Sequence, residues 1–198
     1  MNVTIAVARK EMRDALNSSW LLLYAAMFTL LALGLSYLGE RNLGSVGFDN
    51  FSRTTASLLN LCLLLAPLVA LSVASGAIAG ERDRGTLAYL LAQPLDRWEL
   101  VLGKYAGLAA SIALATAAGF GVAGVVIALT TSSLDAGTYL LFLALVLGLI
   151  AVMTGLGMLV SVIASSRVQA LGMAMLIWFA SAFFFDLVLV GMVSTTSL

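Results

Sequence analysis

Five apolar runs, at about 20–38, 58–79, 106–129, 138–163 and 168–193, constrain this 198-residue chain more than any other feature. Each has the ~20 residues that an α-helix needs to cross the hydrocarbon core of a bilayer. With 62% hydrophobic residues, 10% charged residues and a mean hydropathy of +1.07, the chain lies far from a soluble domain. In lipid every backbone N–H and C=O must find a partner within the protein, and a helix supplies that partner locally. The expected fold is therefore all-α, a polytopic membrane helical bundle with five transmembrane helices.

Charge is concentrated rather than spread. Eight of the twenty charged residues fall between Gly80 and Gly107: Glu81, Arg82, Asp83, Arg84, Asp96, Arg97, Glu99 and Lys104. Leu87, Leu90 and Leu91 recur at helical spacing in the middle of this segment and predict a short amphipathic helix. Pro94 ends it, because proline lacks the N–H and disfavours helical geometry in the residue before it. Asp96 and Glu99 then have the spacing of a capping box, and Leu95 and Leu100 that of a hydrophobic staple, so a second helix starts at this corner. A charged loop between spans is ordinarily only solvated; the short helix, proline stop and double capping signal favour a built element.

Ahead of the first span, 3–18 reads as an interfacial helix. Ile5, Ala8, Met12, Ala15 and Leu16 line one face, with Arg9, Lys10, Glu11, Arg13 and Asp14 on the other. A plain basic flank for the first span is the less favoured reading. The first run is too long for a signal-peptide core, and Trp20 and Tyr37 stand near its ends as interfacial anchors. Residues 39–57 read as a polar loop. Pro67 falls inside the second span, where a kink is tolerated if neighbours satisfy the freed carbonyl; the reading preferred is shape rather than motion. Glycines such as Gly103, Gly107, Gly155 and Gly157 suit close helix approach, although such spacings are common in a glycine-rich chain.

Orientation follows from the basic residues. With the amino terminus cytoplasmic, Arg9, Lys10, Arg13, Arg82, Arg84, Arg97, Lys104 and Arg167 lie inside and only Arg41 and Arg53 outside. The segment 80–105 is then a cytoplasmic loop. Zero net charge favours no nucleic-acid partner. The absence of histidine removes Ser-His and Cys-His relays and His-rich metal sites. No P-loop occurs, since Gly103-Lys104 is followed by Tyr105 and lacks the upstream glycine, so this chain does not hydrolyse ATP by itself. The single cysteine, Cys62, forms no internal disulfide.

The runs G-E-R-D-R-G-T-L from Gly80, L-L-A-Q-P-L-D-R-W-E from Leu90 and G-K-Y-A-G from Gly103 resemble the cytoplasmic loop of ABC type-2 exporter permeases. Within that superfamily the chain is most similar to the permeases of nitrous-oxide reductase maturation systems, the copper-processing Nos transporters. The opening A-R-K-E-M-R-D and the later W-F-A-S-A-F-F-F-D-L agree. The resemblance implies a single ABC type-2 transmembrane domain over 1–198, in a prokaryotic inner membrane. It implies a separate ABC ATPase subunit carrying ATP and Mg, a homodimer or second permease copy, the lipid bilayer and a periplasmic accessory protein as partners, with no cofactor bound directly. The coupling helix maps onto 86–92. Thr86, Leu87, Leu90 and Leu91 would meet the ATPase, with Glu81, Arg82 and Arg84 at the rim and the corner made by Pro94, Leu95, Asp96, Glu99 and Leu100. Members have six spans, so a final outer segment and sixth helix are expected to be missing from these 198 residues. Other cargoes of the same fold, namely a drug, a lipid or a peptide, and a non-transporting membrane scaffold are the alternatives.

Two intramembrane features remain. Met153, Met158, Met173, Met175 and Met192 are scattered, and packing is favoured over soft-metal ligation. Asp186 is a lone carboxylate in the last run, about 28 Å along a helix from Arg167 and so toward the outer boundary. An ionisable residue in a span is a functional candidate, but near the boundary its cost falls, which favours an interfacial or helix-pairing role. Asp186→Asn is accordingly expected to lower folded yield while turnover per folded molecule stays normal; reduced turnover at normal yield would place Asp186 on the substrate path.

Overall fold

The computed structural model describes 3–19, 22–27, 29–31, 34, 48–91, 96–130 and 136–196. Trp20, Tyr37, Pro94 and Leu95 lie outside these residues. Among the described residues every regular element is helical: α1 (Val3–Leu16), α2 (Leu22–Leu31), α3 (Phe48–Asp83), α4 (Leu87–Leu91), α5 (Arg97–Thr130), α6 (Ala136–Ile163) and α7 (Arg167–Thr196). Four of them, α3, α5, α6 and α7, are long and apolar enough to cross a membrane, and α2 is a shorter apolar helix within the expected first span. The molecule is a polytopic helical bundle.

Helix α3 overruns its expected span at both ends. No helix breaker stands between Phe48 and Pro67, so the segment assigned to a loop up to Ser57 is helical from Phe48, and the helix continues through Gly80 to Asp83. Its 36 residues extend about 54 Å, well beyond a ~30 Å hydrocarbon core, so its polar ends project from the membrane. The long helices alternate in direction. Asp83, Arg97, Ile163 and Arg167 therefore meet at one end of the bundle, where α1 also docks, and this end carries the charge.

Small residues set the helix spacing. Ala66, Ala70 and Ala74 form a fully buried stripe on α3, which packs most extensively on α6. A Cβ placed on Gly157 would lie 2.7 Å from Ala74 Cβ and 3.0 Å from the Leu71 carbonyl oxygen, so the two backbones touch at this point. Away from the charged end, Phe120 packs edge-on against Tyr139 and Phe142, and Tyr139 donates to the Phe120 carbonyl at 2.6 Å. Cys62, Met153 and Ile150 belong to this central core, whereas Met158 belongs to a second cluster with Ala74, Ile78 and Leu108. Buried hydroxyls return to their own helices, as in Thr116 to Ile112 and Thr154 to Ile150.

Pro67 has a local answer. It cannot donate to Leu63, and the neighbouring Leu64 carbonyl accepts the Trp178 indole N–H of α7 at 2.9 Å. That bond joins α3 to α7 one residue beyond the carbonyl that the proline frees. Asp186 lies on α7, with its side chain outside the described residues.

Gly157→Ala is expected to cost about 1–3 kcal/mol through overpacking against backbone that has no room to move aside. The thermal unfolding midpoint in detergent should fall. Gly148→Ala on the same helix, where a new Cβ meets nothing within 4 Å, should leave the midpoint unchanged or raise it.

Candidate functional site

The run from Gly80 to Thr86 carries several fasteners: Glu81, Arg82, Asp83 and Thr86 each have a side-chain partner. Helix α3 ends where Gly85 turns left-handed, at φ 71°, a conformation glycine adopts without a Cβ penalty. Thr86 N–H then donates to the Glu81 carbonyl and Gly85 N–H to the Arg82 carbonyl, both at 3.0 Å, the paired bonds of a Schellman cap. The Thr86 hydroxyl adds a bond to the Glu81 carbonyl at 3.2 Å. Thr86 is therefore a turn-closing residue.

Arg82 and Asp83 fasten the connection between α6 and α7. The Arg82 guanidinium donates to the carbonyls of Ala164 and, at 3.2 Å, Val162, which are left without partners where α6 ends. Asp83 Oδ2 accepts the backbone N–H of Arg167, the first residue of α7, at 2.7 Å. Ser166 Oγ caps the Gln169 N–H at 3.2 Å, and Gln169 Oε1 reaches back to the Ser165 N–H at 2.9 Å. One level deeper, Ser161 Oγ accepts from the Ile78 and Ala79 backbone N–H groups at 2.9 Å each.

Glu81 takes a different direction. Assigned to an outer rim by resemblance, it is instead buried and bonded to Lys104, whose Nζ donates to Glu81 Oε1 and Glu11 Oε1 at 2.6 Å each. Lys104 is only 2% exposed. It stands on the buried stripe Leu100, Lys104, Leu108, Ile112, Thr116, Phe120 of α5, a four-residue repeat that would bury whatever occupied its place. Ammonium burial is costly unless carboxylates compensate, and here α1 and α3 each supply one.

The docking of α1 makes this geometry possible. A Cβ on Gly107 would fall 2.5 Å from the Ala8 carbonyl oxygen and 2.7 Å from Glu11 Cβ, and one on Gly103 would fall 2.8 Å from Val7. The α1 face toward the protein is thus Thr4, Val7, Ala8, Glu11, Met12 and Ala15. Ile5, 61% exposed, and Leu16 turn away from it, which divides the apolar face read from the sequence between protein and surroundings.

At the corner, α4 is brief. Leu87 is half-buried and packs against the cluster of Ala74, Ile78, Leu108 and Met158. The side chains of Leu90 and Leu91 lie outside the described residues. Facing outward are Tyr89, 79% exposed, and Trp98, 72% exposed, neither of them singled out from the sequence. Asp96 occupies the N-cap of α5: its carbonyl accepts the Leu100 N–H at 3.2 Å, and Leu100 is buried. Among the described residues no side-chain bond between Asp96 and Glu99 closes the expected box. Arg84 is exposed and turns toward a cavity between α1, α3 and α7.

These features define a multi-pass membrane protein whose polar inter-helix connection is bolted to four other helices at one end of the bundle. Residues 5–198 match the family model described as ABC-2 family transporter protein. The chain belongs to that family. Among its relatives, "Probable ABC transporter permease protein NosY" of Pseudomonas aeruginosa is 39% identical over 195 residues, covering 96% of this chain and 71% of the relative. The protein of the same name from Stutzerimonas stutzeri is 37% identical over 198 residues, covering 97% and 71%. The chain is thus an ABC-2 permease subunit homologous to NosY.

Lys104→Met is expected to cost about 3–5 kcal/mol, because it strands two carboxylates where water is scarce. The triple variant Glu11→Gln, Lys104→Met, Glu81→Gln removes the stranded charge and should recover much of the loss. Thermal unfolding in detergent distinguishes the two; a triple variant as unstable as Lys104→Met would show that the ions themselves are indispensable.

Proposed function

We propose that this permease subunit couples ATP hydrolysis by a separate ABC ATPase subunit to export across the inner membrane, within a system for nitrous-oxide reductase copper-site maturation. The ATPase holds ATP and Mg. Two copies of the permease form the path, a periplasmic accessory protein works with them, and the amino terminus, α4 and the α6–α7 turn are cytoplasmic. The imbalance of eight basic residues against two supports this orientation. Likeness to NosY along nearly the whole chain, with the loop motifs at Gly80, Leu90 and Gly103, supports the assignment to the maturation system.

The observation that carries the coupling role is the contrast within 80–105. Its charged residues before α4 turn back onto the bundle, while Tyr89 and Trp98 turn outward on either side of the corner. Large exposed aromatics on a rigidly held loop are suited to anchor a protein partner, since they bury much area at little entropic cost. A push on them is transmitted through Glu81 to Lys104 and α1, and through Arg82 and Asp83 to α6 and α7. Leu90 and Leu91 complete the apolar contact. Arg82 and Glu81 act from behind it as fasteners.

The double variant Tyr89→Ala, Trp98→Ala is expected to insert and unfold as the wild type does but to lose co-purification of the ATPase, and Leu90→Asp should do the same. Leu87→Ala should instead lower the thermal midpoint with co-purification retained. Undiminished capture of the ATPase by the double variant would refute the docking assignment.

A further inference from the structure

At the charged end, α1, α3, α5 and α7 line a cavity of about 720 Å³. Its upper wall is basic. A Cβ on Gly80 would lie 3.6 Å from Arg167 Cδ and 3.8 Å from Arg84 Nη2, and one on Gly76 would lie 3.6 Å from Arg167 Nε. The two arginine side chains therefore converge on a face of α3 that glycine leaves bare. Neither makes an ion pair among the described residues, and Lys10 joins them on the wall. Like charges on one wall repel each other, and a phosphate oxygen pair is the group that planar guanidinium forks fit best.

Two further features narrow the ligand. The lower wall is apolar, with Val73, Ala77, Leu171 and Met175. From Arg167 to Met175 the cavity descends about 12 Å along α7, and from Arg84 to Ser72 about 18 Å along α3, which takes it from the charged end into the membrane-spanning part. Carboxylates also line the space: Glu11 and Glu81, both bonded to Lys104, and Asp14, which is exposed and has no ion-pair partner among the described residues. A ligand that fills the cavity thus brings a phosphate for the arginines, hydrogen-bond donors for Asp14 and an apolar tail for the lower wall.

We propose that this cavity is a structural phospholipid site, selective for headgroups that carry N–H or O–H donors beside the phosphate, such as ethanolamine or glycerol. The phosphate lies between Arg84 and Arg167, the donor-bearing end meets Asp14, and the first part of an acyl chain lies along Leu171 and Met175. This site does not depend on the transport reading or on the identity of the cargo.

The full chain, reconstituted in nanodiscs of defined composition and released into the gas phase for native mass spectrometry, tests it. Phosphatidylethanolamine and phosphatidylglycerol should remain bound as one-to-one adducts, and phosphatidylcholine, which has the phosphate but no donor, about tenfold less. Arg84→Gln with Arg167→Gln should reduce retention about tenfold or more, since each charge-assisted bond to phosphate contributes on the order of 1.5–3 kcal/mol. Should that pair fail to fold, Arg84→Lys with Arg167→Lys keeps the charge, loses the forks and should show a smaller loss. Asp14→Asn should narrow the preference over phosphatidylcholine without abolishing binding. Equal retention of all three lipids, retention indifferent to the arginine variants, or displacement of the lipid by inorganic phosphate alone would overturn the proposal.

Discussion

An ammonium group held out of water between two carboxylates is the constraint on which the charged end of this protein depends. Lys104 can occupy the buried stripe of α5 only if Glu11 and Glu81 arrive from α1 and α3, and each arrives only if the backbones come close. Gly103 and Gly107 give α1 that approach. The triad adds little net stability over an apolar replacement, because desolvation offsets most of the attraction. Its effect is on geometry. Apolar helices in lipid slide past one another at small cost, whereas a misplaced Lys104 leaves three charges unpaired.

The same reasoning extends to the run beside it. Arg82 satisfies carbonyls at the end of α6, Asp83 caps the start of α7, and Gly85 with Thr86 closes α3. Glu81 and Lys104 of this charge cluster are buried, and Arg82 and Asp83, though exposed, bond back onto α6 and α7. Beyond them Tyr89 and Trp98 turn outward. The end of α3 is thus tied to α5, α6 and α7 directly and, through Lys104, to α1.

How much of this was legible in the sequence depended on whether one segment or two were needed to see it. Apolar runs of bilayer length identify spans by themselves, and α3, α5, α6 and α7 fall where those runs do. The start of α5 was legible for the same local reason, since Asp96 immediately precedes it and Leu100 is buried, whereas Pro94 and Leu95 lie outside the described residues. Glu81 was placed at an outer rim by resemblance, and neither resemblance nor periodicity shows what stands opposite a residue; its partner Lys104 is 23 residues away on another helix, as are most of the residues Leu87 packs against. Two signals were present and passed over. Lys104 keeps the four-residue register of Leu100, Leu108 and Ile112, which marks it as buried, and Ser166 with Gln169 spells a capping box at the start of α7. Asp83 capping Arg167 across 84 residues had no local signal at all.

Helix α7 shows why polar bonds, rather than apolar area, place the helices of such a bundle. Only 11% of its membrane-spanning window is buried, against 50% for α3, and Leu176, Phe179, Phe183 and Phe184 face outward. In water such a helix would be poorly held. In a bilayer, acyl chains satisfy those side chains nearly as well as protein does, so the exposed area exerts little pull in either direction. Position then falls to the few groups that lipid cannot satisfy. Asp83 holds the Arg167 N–H at one level, and Trp178 meets the Leu64 carbonyl beside Pro67 at another, about 17 Å along the helix. Two polar joints on one partner helix fix height and rotation together, and the first of them is the residue next to the Arg82 that clamps the end of α6. The register of α7 is thereby tied to the connection that follows α3, though the two lie more than 80 residues apart in the chain.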